Sequence, residues 1–124
     1  MTRPLTLLLY EKLMPGSALV TRLEDRGYRV LSISDPALLV EKAEAETPIL
    51  VIVDLEPKQA QTCEAIARLR NHATTAHLPV IAIASAAHAS LQEAARGAGA
   101  TLVVHDNTIL QHLAHFLEQA LRVD

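Results

Sequence analysis

The chain has 124 residues, half of them apolar, a net charge of -3, and three aromatic residues, Tyr10, Tyr28 and Phe116, with no tryptophan. That suits one aliphatic core and not two. It offers no basic patch or aromatic series for holding nucleic acid, and no positive surface for an anionic membrane.

A single cysteine, Cys63, allows no internal disulfide and fits a reducing compartment. Glu11 and Lys12 cut off the N-terminal apolar stretch too early for a secretory signal, and no apolar run is long enough to span a bilayer. A cytoplasmic setting is expected.

Leu5 to Tyr10 is nearly all apolar and predicts a first strand, closed by Glu11. Met14-Pro15-Gly16-Ser17 reads as a break. Ala18, Leu19, Val20 and Leu23 then recur at helical spacing, with Arg22, Glu24, Asp25 and Arg26 opposite and Gly27 as the stop. Tyr28 to Ile33 predicts a strand of mixed character, suited to a sheet edge. Ser34-Asp35-Pro36 is a helix-start signature; Leu38, Leu39, Val40 and Ala43 follow, and Thr47-Pro48 ends the helix.

Ile49 to Val53 runs straight into Asp54, a pattern for a strand buried on both faces of a parallel sheet. A helix over about 59–72 has Cys63, Ile66, Ala67 and Leu69 on its apolar stripe, and a polar loop follows over 71–77. Val80 to Ser85 predicts a fourth strand, also apolar on both faces. Leu91, Ala94, Ala95 and Ala98 make a helix of small residues that Gly97 and Gly99 end. Leu102 to Val104 is a very short fifth strand. The last helix is predicted over about 108–122, with Ile109, Leu110, Leu113, Phe116, Leu117, Ala120 and Leu121 as its stripe.

Strand and helix alternate five times, with spacings that suit right-handed crossovers. The pattern predicts one α/β domain over 1–124: a doubly wound, five-stranded parallel sheet with helices on both faces. In such sheets ligands bind beyond the carboxyl ends of the strands. Those ends carry Tyr10-Glu11, Asp54, Ser85-Ala86 and His105-Asp106.

Each of these has a plain structural alternative. Asp54 ends a buried strand, where a carboxylate is costly unless it is used or capped. Ser85 by itself is a common turn former. His105, His112 and His115 invite a metal reading, but their spacing is loose and the solvated-face reading is the better one. His72, His77 and His88 read as surface residues, and Cys63 as an inert buried thiol. Tyr10 either stacks over or hydrogen-bonds Asp54, or only fills space. No Gly-rich phosphate loop follows the first strand, where Glu11-Lys12-Leu13-Met14-Pro15-Gly16 stands, so nucleotide-cofactor chemistry is the weakest alternative.

Four stretches carry a resemblance: Leu7 to Glu11, Ile49 to Leu55, Leu78 to Ala86 and Gly99 to Val104. Over its whole length the chain resembles the receiver domain of bacterial two-component response regulators, the CheY-like family. The resemblance implies a flavodoxin-like (βα)5 fold with strand order 2-1-3-4-5. It implies Asp54 as phosphoacceptor, and Glu11, Asp54 and the backbone carbonyl of Glu56 as ligands of Mg²⁺. Ser85 matches the hydroxyl that hydrogen-bonds the phosphoryl group, and Ala86 the small residue after it.

The departures from the family are equally specific. Tyr10 replaces the first of the paired acids. His105 replaces the lysine after the fifth strand, and it is shorter and no permanent cation. Leu102 replaces the aromatic switch residue. The Leu55-Glu56-Pro57-Lys58-Gln59 loop lacks the usual methionine-proline step. Lys58 or Lys12 would have to supply charge instead, and both read equally well as solvated surface.

The expectation is therefore an atypical stand-alone signalling module in a phosphorelay, not an enzyme. Its partner would be a histidine kinase or a downstream signalling protein. A homodimer through the fourth helix, fifth strand and fifth helix is an expected assembly, as the resemblance implies. The alternative is a phosphorylation-independent pseudo-receiver that works as an interaction adaptor.

Overall fold

Five aliphatic segments form the strands of one sheet, and each is followed by a helix. The computed structural model of the protein describes residues 4–10, 13–55, 59–85, 87–105 and 108–121. The strands are β1 (Leu5–Leu9), β2 (Arg29–Ile33), β3 (Leu50–Asp54), β4 (Val80–Ala84) and β5 (Leu102–His105). The helices are α1 (Leu13–Asp25), α2 (Leu39–Glu46), α3 (Gln59–Asn71), α4 (Ala89–Ala98) and α5 (Leu113–Leu121). All pairings are parallel and the order is β2-β1-β3-β4-β5, as expected.

β1, β3 and β4 are buried along their whole length, whereas β2, at the sheet edge, has only exposed and half-buried positions. Alternation along the strands splits the core in two. Leu7, Leu9, Val51, Val53, Val80 and Ala82 face α2, α3 and α4, where they meet Leu39, Ala43, Ile66, Leu69, Leu91 and Ala95. Leu8, Leu50, Ile52, Ile81, Ile83 and Val104 face α1 and α5, where they meet Leu19, Leu23, Leu113, Leu117 and Ala120.

Several element ends differ from the sequence expectation. Pro15-Gly16 is no break: α1 begins at Leu13 and runs through both residues. Pro15 is the third residue of the helix, in the first turn, where backbone N–H groups have no intrahelical acceptor and proline therefore costs little. Gly97 likewise lies inside α4; it is Gly99, at φ +115°, that closes the helix, its N–H donating to the carbonyls of Ala95 and Arg96. β5 extends to His105. Before α5 the chain winds through turns from Thr108, held by the carbonyls of His105 and Thr108, and settles into α-helix at Leu113. Arg122 lies outside the described residues.

Pro36 opens a single 3-10 turn ahead of α2, capped by Asp35 Oδ1, which accepts from the N–H of Ala37 at 3.0 Å. The loop after α3 is less solvated than its composition suggests. Thr75 is fully buried there, its hydroxyl donating to the carbonyl of Leu69 at 2.8 Å. No helix among the described residues is long and apolar enough to cross a membrane.

Candidate functional site

The C-terminal rim of the sheet gathers Tyr10, Asp54, Ser85 and His105. Asp54 is the last residue of β3 and only 4% exposed. It shares the parity of Leu50 and Ile52, so its side chain lies on the α1/α5 face. Leu55 continues the ladder past it, donating to the carbonyl of Ile83 at 2.9 Å.

Tyr10 is one residue beyond β1, with its N–H on the carbonyl of Ile33 at 3.0 Å. Leu9 pairs with Val53, so the next step of the register sets Tyr10 level with Asp54 on the neighbouring strand. The ring is half-buried and packs against the α1/α5 core, the face Asp54 occupies. Neighbouring strands lie about 4.8 Å apart, so the two residues are side by side. Counting register along the two strands is the signal that could have shown this in the sequence.

Ser85 follows β4 with the parity of Ile81 and Ile83, so it continues on the same face as Asp54. Ile83 is the register partner of Asp54. Ser85 therefore stands two residues farther out, roughly 7 Å along the strand direction. Its hydroxyl accepts from the N–H of Ala87 at 3.2 Å, and its carbonyl accepts from the N–H of His88 and from Gln92 Nε2, both at 3.0 Å. The turn-forming role is thus real.

His105 pairs with Ala84 and has the parity of Val103, so alternation places it on the other face, toward α2, α3 and α4. Its carbonyl holds the following turn, accepting from Thr108 Oγ1 and from the N–H groups of Thr108 and Ile109, all at 3.1 Å. Glu11, Lys12, Glu56, Lys58, Ala86 and Asp106 lie outside the described residues.

The remaining polar candidates fall away from this rim. His77, His88, His112 and His115 are exposed, and His112 and His115 lie against the ring of Phe116. His72 binds Glu44 at 2.6 Å, a link from α2 to the end of α3 that residue pattern alone does not reveal. Burial pushes the thiol pKa of half-buried Cys63 up, which suits an inert side chain.

No protein-family model matches the chain, and no curated protein matches it. Solved structures do. A Chloroflexus aurantiacus protein assigned as a response regulator is 19% identical, with a TM-score of 0.88 over 97% of this chain and 98% of that one. The receiver domain of a Pseudomonas aeruginosa sensor histidine kinase is 19% identical, with a TM-score of 0.86 over 97% and 98%. A Vibrio cholerae chemotaxis protein is 17% identical, with a TM-score of 0.84 over 97% and 100%.

This chain has the receiver fold. At these identities the likeness is one of fold, and the rim residues must be judged on their own chemistry. The Pseudomonas receiver carries a magnesium ion coordinated in its active-site cleft. A hard cation of that kind takes oxygen ligands, chiefly carboxylates, carbonyls and water. At the ends of β1, β3, β4 and β5, Asp54 is the only carboxylate among the described residues, and Tyr10 beside it brings a phenol in place of a second carboxylate. No group of three or more His, Cys, Asp or Glu that could hold a metal occurs among the described residues. The described part of the rim thus does not make up a magnesium site.

Proposed function

We propose that the chain is a receiver-like signalling module that acts by contact with a protein partner, a histidine kinase or a downstream signalling protein, with Asp54 as the carboxylate at which a phosphoryl group is accepted. The observation that carries this reading is the burial of Asp54 at the end of the central strand, on the same face as Ser85. A buried carboxylate at a strand end is costly unless it is used or capped, and accepting a phosphoryl group is such a use. The roughly 7 Å step between the two residues leaves room for a phosphoryl group on Asp54 that the Ser85 hydroxyl would meet.

In the reaction an Asp54 oxygen attacks the phosphorus of the donor. A new O–P bond forms, and the donor's own bond to phosphorus breaks with its electron pair leaving on the donor. The family homodimer through α4, β5 and α5 belongs to this reading as a second contact of the same module.

Tyr10 favours a second reading, a phosphorylation-independent interaction module. It sets a partly buried aromatic ring where the resemblance calls for an acid. One experiment separates the two. The protein is incubated with acetyl phosphate and Mg²⁺ and its intact mass is measured. The first reading expects a phosphoryl adduct that Asp54→Asn abolishes. No adduct in the folded wild-type protein leaves the adaptor reading.

A further inference from the structure

We infer that Tyr10 is the residue that sets the divalent-cation affinity of the Asp54 rim, and that it holds this affinity low. The inference rests on the reading of Asp54 as the regulated carboxylate and goes beyond it, because it names the side chain that controls the site.

The β1–β3 register aligns Leu9 with Val53 and hence Tyr10 with Asp54. Both side chains lie on the α1/α5 face, and the Tyr10 ring packs against the core formed by Leu8, Ile52 and Ile83. The register position next to the carboxylate is therefore held by an aromatic side chain. A hydrated Mg²⁺ keeps several waters and needs room for them beside its anionic ligands. An aromatic ring at that register position competes for this room and supplies no carboxylate to the cation.

The same geometry makes the block removable by a single side chain. Tyr10 is only half-buried, and its backbone N–H on Ile33 is independent of its ring. An aspartate there would add a second carboxylate at strand spacing from Asp54. A unit charge a few ångströms from a divalent ion is worth about tenfold or more in affinity, even in a well-screened setting.

The test is a titration with Mg²⁺ alone, followed by amide chemical shifts, on the wild type, Tyr10→Asp and Tyr10→Asn. Tyr10→Asp should bind at least about tenfold more tightly than the wild type, with the shifts centred on β1 and β3. Adding Asp54→Asn should remove that gain. Tyr10→Asn, which frees the room and offers an oxygen without charge, should show a smaller gain; it carries the test if Tyr10→Asp does not give a dispersed spectrum.

Equal affinity of the wild type and the folded variants overturns the inference. So does a gain that survives Asp54→Asn, since the ion would then sit elsewhere. No phosphodonor is present, so failure of the phosphoryl-acceptor reading shows in the acetyl phosphate experiment and failure of this one in the titration.

Discussion

The two rims of the sheet use charge in opposite ways. At the N-terminal rim, Arg70 at the end of α3 spreads its guanidinium over the carbonyls of Gly99, Ala76 and Leu78 and the hydroxyl of Thr101. The Thr101 hydroxyl accepts in turn from the N–H of Val80 at 3.0 Å. A Cβ on Gly99 would lie 2.5 Å from Arg70 Cγ, so glycine is needed there for the close approach as well as for the φ. Burial pushes the pKa of Arg70 down, yet the group stays charged because its ordinary pKa is so high.

At the C-terminal rim the conspicuous charge is Asp54, buried beside an aromatic ring and on the same face as a serine. One rim sets a half-buried cation of α3 among acceptors of the α4–β5 turn and the loop before β4, and its purpose is to hold those elements. The other buries a carboxyl group at the mouth of the strands. Position in the fold, more than the presence of a charge, separates the structural group from the candidate functional one.

That contrast can be broken at either rim. The largest effect is expected for Arg70→Ala, which strips the hydrogen-bond donor from several acceptors at once; the loss should be about 2–4 kcal/mol in urea unfolding. A loss within experimental error would show that solvent replaces the guanidinium and that this rim needs no clip.

Ser85→Ala should cost much less, about 0.5–1 kcal/mol, because it removes one hydroxyl, with its bond from the Ala87 N–H, and not a group shared among several backbone acceptors. The same variant should nevertheless lower the yield of the Asp54 adduct from acetyl phosphate. An unchanged yield would reduce Ser85 to its turn.

The smallest effect is expected at the Glu44–His72 link, at the outer edge of the N-terminal rim. The hydrogen bond from His72 holds the Glu44 carboxyl below its ordinary range, helped by the Thr74 hydroxyl and the imidazole charge. A carboxylate with a depressed folded-state pKa contributes stability above its unfolded pKa and loses it as pH falls through the folded value. Glu44→Gln should therefore be slightly less stable than the wild type near neutrality, with the difference closing in acid. The carboxyl is fully exposed, so solvent screening keeps the effect small. A difference that stays constant through the acid range would remove the link from the account.

Much of the fold could be read from residue pattern. Continuous aliphatic runs at Leu7–Leu9, Val51–Val53 and Val80–Ala84 cannot face water on either side, and the mixed Arg29–Ile33 can. Those facts order the sheet. Asp54 was legible for the same reason, as a carboxylate that ends such a run. The start of α1 was not, because proline and glycine signal a break only where the backbone has to supply hydrogen bonds, and a first turn does not. The beginning of α5 was blurred because Ile109 is fully buried in the turns that precede the helix and so keeps the apolar stripe going.

The sequence by itself determined the alternation of strand and helix, the burial of the central strands and the residues available at their ends. Only the tertiary structure decided how those residues meet. Register between β1 and β3 sets Tyr10 beside Asp54; strand parity places Ser85 on their face and His105 on the other; and two separate segments converge on Arg70. These are relations between segments distant in the chain. Periodicity along one segment says which face a side chain takes, and only pairing between segments says what stands next to it.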